Sequence, residues 1–283
     1  MKTYFKIKCS DNRELTATKY KHITTSNGQL IVINSALGVK QEFYTHFATY
    51  LANKGFTVIT WDPRGIGQSS QLNIKQDTAK MRDWGQLDLT AILEHVVNEN
   101  GANWRDISLI GHSAGGHLVG LCPHLTKINN VILIAAGTCS WRLYPKMYQP
   151  KMLLAWYVVF PFLYKTLGYI PKQLGIGHQL PKGIATDWRN WCLDKEYLFS
   201  DSSLGTHFYS NYTGNLYAVG FSDDKGFSPK RTIEDLIKRF TNADTHMELF
   251  RPDDLQKSKI GHFGFFKPNN DRLWQQVVLG KLI

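Results

Sequence analysis

The sequence predicts an α/β fold with a mostly parallel central sheet, flanked by helices and interrupted by one helical insertion. Three observations carry this. Short apolar runs alternate with segments of helical period from residue 29 to residue 136. The same alternation returns at Leu216. Between them, residues 141–210 hold Pro145, Pro150, Pro161, Pro171 and Pro181 and no strand pattern.

In chain order, residues 3–9 and 14–20 alternate as strands around Ser10-Asp11-Asn12-Arg13, a hairpin-like turn. Residues 29–34 (QLIVIN) form a short apolar run of the kind buried on both faces of a parallel sheet. Residues 41–54 place Phe43, Phe47, Tyr50 and Leu51 on one helical face, with Gly55 just past the end. A strand at 56–61 and an amphipathic helix at 83–100 follow. Next come a strand at 106–110, a short helix after Gly111 and a strand at 131–136. After the insertion we expect a strand at 216–221, a helix at 232–240, a strand at 246–250 and a terminal helix at 271–279. This divides the chain into a core of residues 1–140 and 211–283 and a lid of residues 141–210. The lid is too apolar and aromatic for a flexible tether.

Composition narrows the function. The 283 residues are 43% hydrophobic and 20% charged, which argues against disorder. Cys9, Cys122, Cys139 and Cys192 show neither CxxC nor zinc-finger spacing, so we expect no disulfide scaffold, no metal and no cofactor. The N-terminus lacks a signal-peptide core, and the longest apolar run, 152–164, falls short of the roughly 20 residues that span a membrane. The expected location is cytoplasmic. The net charge of +10 is concentrated: residues 141–195 hold eight Lys and Arg against two Asp, with four of the eight Trp. Such a face suits peripheral contact with an anionic surface or an anionic small molecule. No nucleic-acid-binding motif accompanies it.

The strand at 106–110 runs into Gly111-His112-Ser113-Ala114-Gly115-Gly116 and then an apolar helix start. This is G-x-S-x-G in the strand–turn–helix setting that exposes a serine hydroxyl at the sheet edge. A serine needs a neighbouring base. In this architecture an acid and then a histidine follow in the chain. The strand at 216–221 ends at Ser222-Asp223-Asp224, and Ile260-Gly261-His262-Phe263-Gly264 supplies a histidine in a glycine-flanked loop. His262 fits a general base; His246, the other histidine after the acid, reads as a structural strand residue. Oxyanion donors are expected at the Ala114 N–H and in the loop 34–39. Gly65-Ile66-Gly67 is a weak phosphate-loop match, because no third glycine opens a helix.

With these residues placed, the chain resembles the α/β-hydrolase superfamily. Trp61-Asp62-Pro63-Arg64-Gly65-Ile66-Gly67-Gln68-Ser69 looks like its DxRGxGxS loop. More narrowly, the chain is similar to a bacterial group of predicted α/β hydrolases. Residues 36–44, Asp83-Trp84-Gly85, Trp141-Arg142-Leu143-Tyr144-Pro145, Phe221-Ser222-Asp223-Asp224 and residues 260–266 carry that likeness. The resemblance implies Ser113 as nucleophile, Asp224 rather than Asp223 as the acid, His262 as the base, and Leu37 as the second oxyanion donor. It departs from the superfamily in having Ser35-Ala36 where His-Gly is common, and Pro229 one place later than usual after the acid. The expected function is a serine hydrolase cleaving an ester or thioester, a small-molecule substrate with an apolar acyl or aromatic part. Trp156, Tyr157 and Phe160 of the lid are expected to contact it, and the lid helix, apolar all round, to be buried on more than one side. The alternatives are an acyltransferase with the same triad, or a non-catalytic binding protein on this scaffold. The sequence does not assign an oligomeric state.

Overall fold

Eight strands form one sheet in the order β1-β2-β4-β3-β5-β6-β9-β10. The computed structural model describes residues 1–70, 73–175 and 177–282. The strands are β1 (Lys2–Lys8), β2 (Glu14–Tyr20), β3 (Leu30–Asn34), β4 (Thr57–Asp62), β5 (Ile107–His112), β6 (Asn130–Ile134), β9 (Asn215–Phe221) and β10 (Asp244–Phe250). Two residues each of β7 (Tyr169–Ile170) and β8 (Leu180–Pro181) make a separate small ladder. β1 and β2 pair antiparallel, as do β2 and β4, and every other pairing in the large sheet is parallel. The α/β class read from the alternation is the class observed.

The central strands are apolar along their whole length because both faces are covered. Val32, Ile59, Leu109 and Val131 point into one core, packed with Ile92, Leu93 and Val96 of α2 (Leu89–Asn100). Their neighbours Ile31, Val58, Ile110 and Ile132 point into the other, packed with Phe47 and Leu51 of α1 (Thr45–Asn53). Trp274 of α8 (Asp271–Val277) joins that second core, and Ile233 and Leu236 of α7 (Lys230–Ile237) join the first. The chain passes from β3 outward to β4 and then back across to β5, so strand order reverses at β3. Such a switch point leaves a crevice beyond the carboxyl ends of the strands, where ligands bind in open α/β sheets. The loop after β3 and the turn into α3 (Ala114–His117) meet there.

Among the described residues, the segment between β6 and β9 supplies no strand to the main sheet. It contains α4 (Gln149–Leu154), a π-turn at Ala155–Val159, α5 (Phe160–Thr166) and α6 (Lys182–Leu193). Arg82, in the loop ahead of the turn at 84–88, ties it to the core through Asp187 (2.8 Å) and Asp201 (3.0 Å), and the His178 N–H donates to the Gly38 carbonyl (2.6 Å). The burial on more than one side expected of the lid helix is corrected here. Trp156 and Phe160 face inward against Trp188, but Leu154, Tyr157, Val158 and Phe162 are each more than half exposed. The run lies at the surface, so only the face turned to the protein is covered. A second difference is a π-turn at Trp84–Asp88, which opens the helix expected at 83–100. Among the described residues no helix is long and apolar enough to cross a membrane.

Asp62 and Arg64 show what the DxRGxGxS segment does. The Asp62 carboxylate accepts the Gln41 and Gln68 backbone N–H groups (2.8 and 2.9 Å), folding the loop back on its own strand. Arg64 is buried against Asp88 (2.6 Å), and its guanidinium reaches Asp11 (2.6 Å) across to the β1–β2 turn. Removing one partner of such a pair strands the other charge. Arg64→Met should therefore lower the unfolding free energy by about 3–5 kcal/mol. Arg64→Met/Asp88→Leu should recover part of that loss; urea unfolding followed by tryptophan fluorescence measures both, and no recovery in the double variant counts against a buried-charge penalty.

Candidate active site

Ser113 sits between β5 and α3 with φ 50° and ψ −119°, a conformation that costs a side-chain-bearing residue on the order of 1–3 kcal/mol. Its surroundings hold it there. A Cβ on Gly115 would overlap the Asn34 carbonyl, and one on Gly116 would overlap the Ala136 side chain. The turn can thus press against β3 on one side and the end of β6 on the other. The Ser113 N–H donates to the Ile134 carbonyl (3.1 Å), while its own carbonyl accepts from Gly116 (2.8 Å) and His117 (3.2 Å).

Ser113 lines a cavity of about 170 Å³ together with Leu37, Ala114, His117, Trp156 and His262. Among the described residues, neither the Leu37 nor the Ala114 N–H donates to a protein acceptor. His262 arrives in the loop before α8, and its Nδ1–H donates to Asp224 Oδ2 (2.6 Å). Asp224 Oδ1 accepts the Phe227 N–H (3.2 Å), and the Phe227 ring stacks on the imidazole at 4.8 Å between centroids. No hydrogen bond joins Ser113 Oγ to His262 among the described residues. Asp223, the neighbouring acid, does separate work: its Oδ2 accepts the Ile260 and Gly261 N–H groups, both at 2.9 Å, and so pins the loop that presents His262.

Of the residues expected at the site, the structure brings together Ser113, Ala114, Leu37, His262, Asp224 and Trp156. Tyr157 points to solvent, and Phe160 packs on Trp156 and Trp188 without lining the cavity. In this segment Trp156 and Phe160 are buried, while Tyr157, the next residue round the helix from Trp156, is 61% exposed. His246 lies on the edge strand β10, half exposed and stacked on Tyr217. Among the described residues no three His, Cys, Asp or Glu side chains are grouped to hold a metal ion.

Two histidines that the motif reading passed over complete the setting. His112 Nε2 lies 2.9 Å from the His262 carbonyl, which can only accept, so this nitrogen carries the proton. Its Nδ1 is then bare and accepts the Tyr44 hydroxyl (2.9 Å), whose oxygen accepts the Ala36 N–H (2.9 Å). This one-way chain joins the loop after β3 to the histidine loop through the residue before Ser113. His117 closes the short helix α3 and lines the same cavity as Ser113. Tyr197 Oη lies 2.8 Å from its Nδ1. Burial pushes His117 down to about 3 and His112 well below the usual histidine value, with the nearby His262 adding to both.

Known proteins share this fold. The family model for serine aminopeptidases, S33 (Hydrolase_4), matches residues 25–188, more than half of the chain, and the protein belongs to that family of α/β hydrolases. DcsB, solved in complex with its substrate analogue, is 13% identical with a TM-score of 0.66, covering 100% of this chain and 99% of that one. The esterase EaEST from Exiguobacterium antarcticum is 14% identical with a TM-score of 0.61, covering 98% of each chain. The α/β hydrolase GrgF from Penicillium sp. sh18 is 15% identical with a TM-score of 0.59, covering 100% of this chain and 98% of that one. At these identities the likeness is one of fold. A comparison with curated proteins finds no match. Family and fold together make the protein an α/β-hydrolase enzyme.

The depressed histidines make acid stability testable. Above about pH 6.5 the imidazoles are neutral in both folded and unfolded chains. As pH falls, the unfolded chain binds protons at positions 112 and 117 that the fold does not, so stability is lost. Each contributes a slope of about 1.4 kcal/mol per pH unit. Thermal unfolding of wild type and His117→Gln between about pH 4 and 7 should show a shallower dependence in the variant; equal slopes would mean His117 protonates within the fold.

Proposed function

We propose that the protein is a serine hydrolase that cleaves an ester or thioester through an acyl-enzyme. The observation that carries this reading is one cavity holding a strained serine, a histidine oriented by a buried carboxylate, and two unpartnered backbone N–H groups. Ser113 Oγ would attack the acyl carbonyl while His262 Nε2 takes its proton. The carbonyl oxygen, turned anionic, would be held by the Ala114 and Leu37 N–H groups. As the tetrahedral centre collapses, His262 returns the proton to the departing alcohol or thiol. Water then repeats the sequence on the acyl-serine, and Ser113 Oγ leaves with the proton. Asp224 keeps His262 in the tautomer with Nε2 bare and stabilises the imidazolium.

The cavity supports an ester over a peptide. Among the described residues its lining carries no carboxylate to hold the ammonium group of a peptide N-terminus. Met152, Trp156 and Trp188 offer apolar surface to an acyl chain instead. Esterases such as that of Exiguobacterium antarcticum share the fold. We take residues 141–210 as a lid over a core of residues 1–140 and 211–283, because four of the cavity-lining side chains, Tyr144, Met152, Trp156 and Trp188, come from that segment while Ser113 and His262 come from the core. The lysines of that segment give it a positive charge suited to an anionic head group or surface.

Labelling by a fluorophosphonate tests the reading: Ser113→Ala should remove it, and label found on another serine would overturn the assignment. Asp224→Asn should lower kcat on p-nitrophenyl esters by about 10⁴. Asp223→Asn keeps an acceptor oxygen for the Ile260 and Gly261 N–H groups and should lose less than about tenfold. Equal losses in the two variants would remove the distinction between the acids.

A further inference from the structure

The outer face of the inserted helix is left to solvent. Leu154, Tyr157, Val158 and Phe162 are 57%, 61%, 55% and 64% exposed. Tyr157, Val158 and Phe162 follow Leu154 at steps of three, four and eight residues, which makes one row along a helix. Cations bracket the row. Lys151 stands three residues before Leu154 and Lys165 three residues after Phe162, and both are exposed. Among the described residues neither lysine makes an ion pair. The Arg189 guanidinium lies 5.9 Å from the centre of the Tyr157 ring. The sequence from residue 107 to residue 186 contains no Asp or Glu at all. An exposed apolar row rimmed by polar groups marks an interaction surface, and here the rim carries one sign of charge.

We infer that this face docks on an anionic lipid surface, with the four apolar side chains entering the headgroup boundary and Lys151 and Lys165 meeting the lipid phosphates. The combination of features selects that occupant. A nucleic acid or an acidic protein surface would answer the lysines but leave the oily row against polar groups. A second copy of the chain, face to face, would cover the row but bring lysine against lysine. A surface that is apolar beneath and negative on top satisfies both, as where amphipathic helices lie in the plane of a membrane. The same helix lines the catalytic cavity through Met152 and Trp156. Docking by its outer face would hold that cavity about one helix diameter, 10–12 Å, from the lipid. The inference concerns a surface and stands independently of the ester-cleaving reading.

The test is co-sedimentation of the full chain with large unilamellar vesicles, of phosphatidylcholine alone or of phosphatidylcholine and phosphatidylglycerol in equal parts. Wild type should bind the mixed vesicles at least about tenfold more tightly, since each lysine held near an anionic surface is worth about fivefold. Val158→Ser/Phe162→Ser removes apolar surface without adding charge and should weaken that binding by about tenfold or more. Lys151→Gln/Lys165→Gln should shrink the ratio between the two vesicles. The same exchange at Lys8 and Lys21, exposed lysines outside the inserted segment, lowers net charge equally and should leave the ratio near that of wild type. All six positions are exposed, and thermal unfolding checks that each variant keeps its fold. Absence of binding to the mixed vesicles overturns the inference, as does a serine pair that binds like wild type. Equal losses from the two lysine pairs mean attraction by the whole molecule's charge and overturn it as well. A dimer in sedimentation velocity that the serine pair dissolves, without vesicle binding, gives the face to a second copy instead. Ester turnover enters none of these measurements, so failure of the hydrolytic reading and failure of this one are told apart.

Discussion

The closeness of the Ser113 turn to the ends of β3 and β6 is the constraint from which the site follows. Glycine at 115 and 116 lets backbone approach where any side chain would collide with Asn34 or Ala136. That approach forces a positive φ at Ser113 and sets its hydroxyl beyond the sheet. It also brings the Ala114 N–H beside the loop after β3, where the Leu37 N–H is equally unclaimed among the described residues. The strain is held by parallel pairing on both sides of β5, so the sheet's central ladder serves both stability and geometry.

Around that turn the protein separates tasks that a motif would merge. Asp224 meets the imidazole, while Asp223 meets the backbone that carries it. Adjacent residues leaving a strand point different ways, which is why two consecutive acids do two jobs without competing. The Ala36–Tyr44–His112–His262 chain adds a buried link between the loop holding the Leu37 N–H and the loop holding His262. Every member has its partner, so the network rigidifies the site instead of burdening the core with an unmet polar group.

How much was legible in the sequence depended on how local each signal was. β3, β5 and β6 show as apolar runs because both faces are buried, and the elbow shows because its glycines must sit at fixed spacing. The pair of Asp224 and His262 is distant in sequence but anchored at the end of a strand and before a last helix. Tyr44 and His112 were hidden because nothing in either local pattern distinguishes a satisfied buried hydroxyl or imidazole from an ordinary core residue. The division of labour between Asp223 and Asp224 was half visible: the sequence marked both, and only the fold shows which backbone N–H groups lie within reach of each. The outward face of the inserted helix is not legible from its wheel, because an apolar wheel states what a helix could bury, not how many neighbours it has.

That inserted helix has a consequence for how its own orientation is decided. In an amphipathic helix the polar side selects which way to turn; here Leu154, Tyr157, Val158 and Phe162 outside are about as apolar as Met152, Trp156 and Phe160 inside. Rolling the helix about its axis would exchange one oily face for another, with little net change in apolar area hidden from water. Solvent therefore supplies scant torque. The rotational setting rests on directional contacts: the edge-to-face packing of Trp156 and Phe160 on Trp188, and the Arg189 guanidinium seated on the Trp156 carbonyl. A handful of aromatic edges and one arginine act as the detent on a shaft that hydrophobicity alone would leave free to turn.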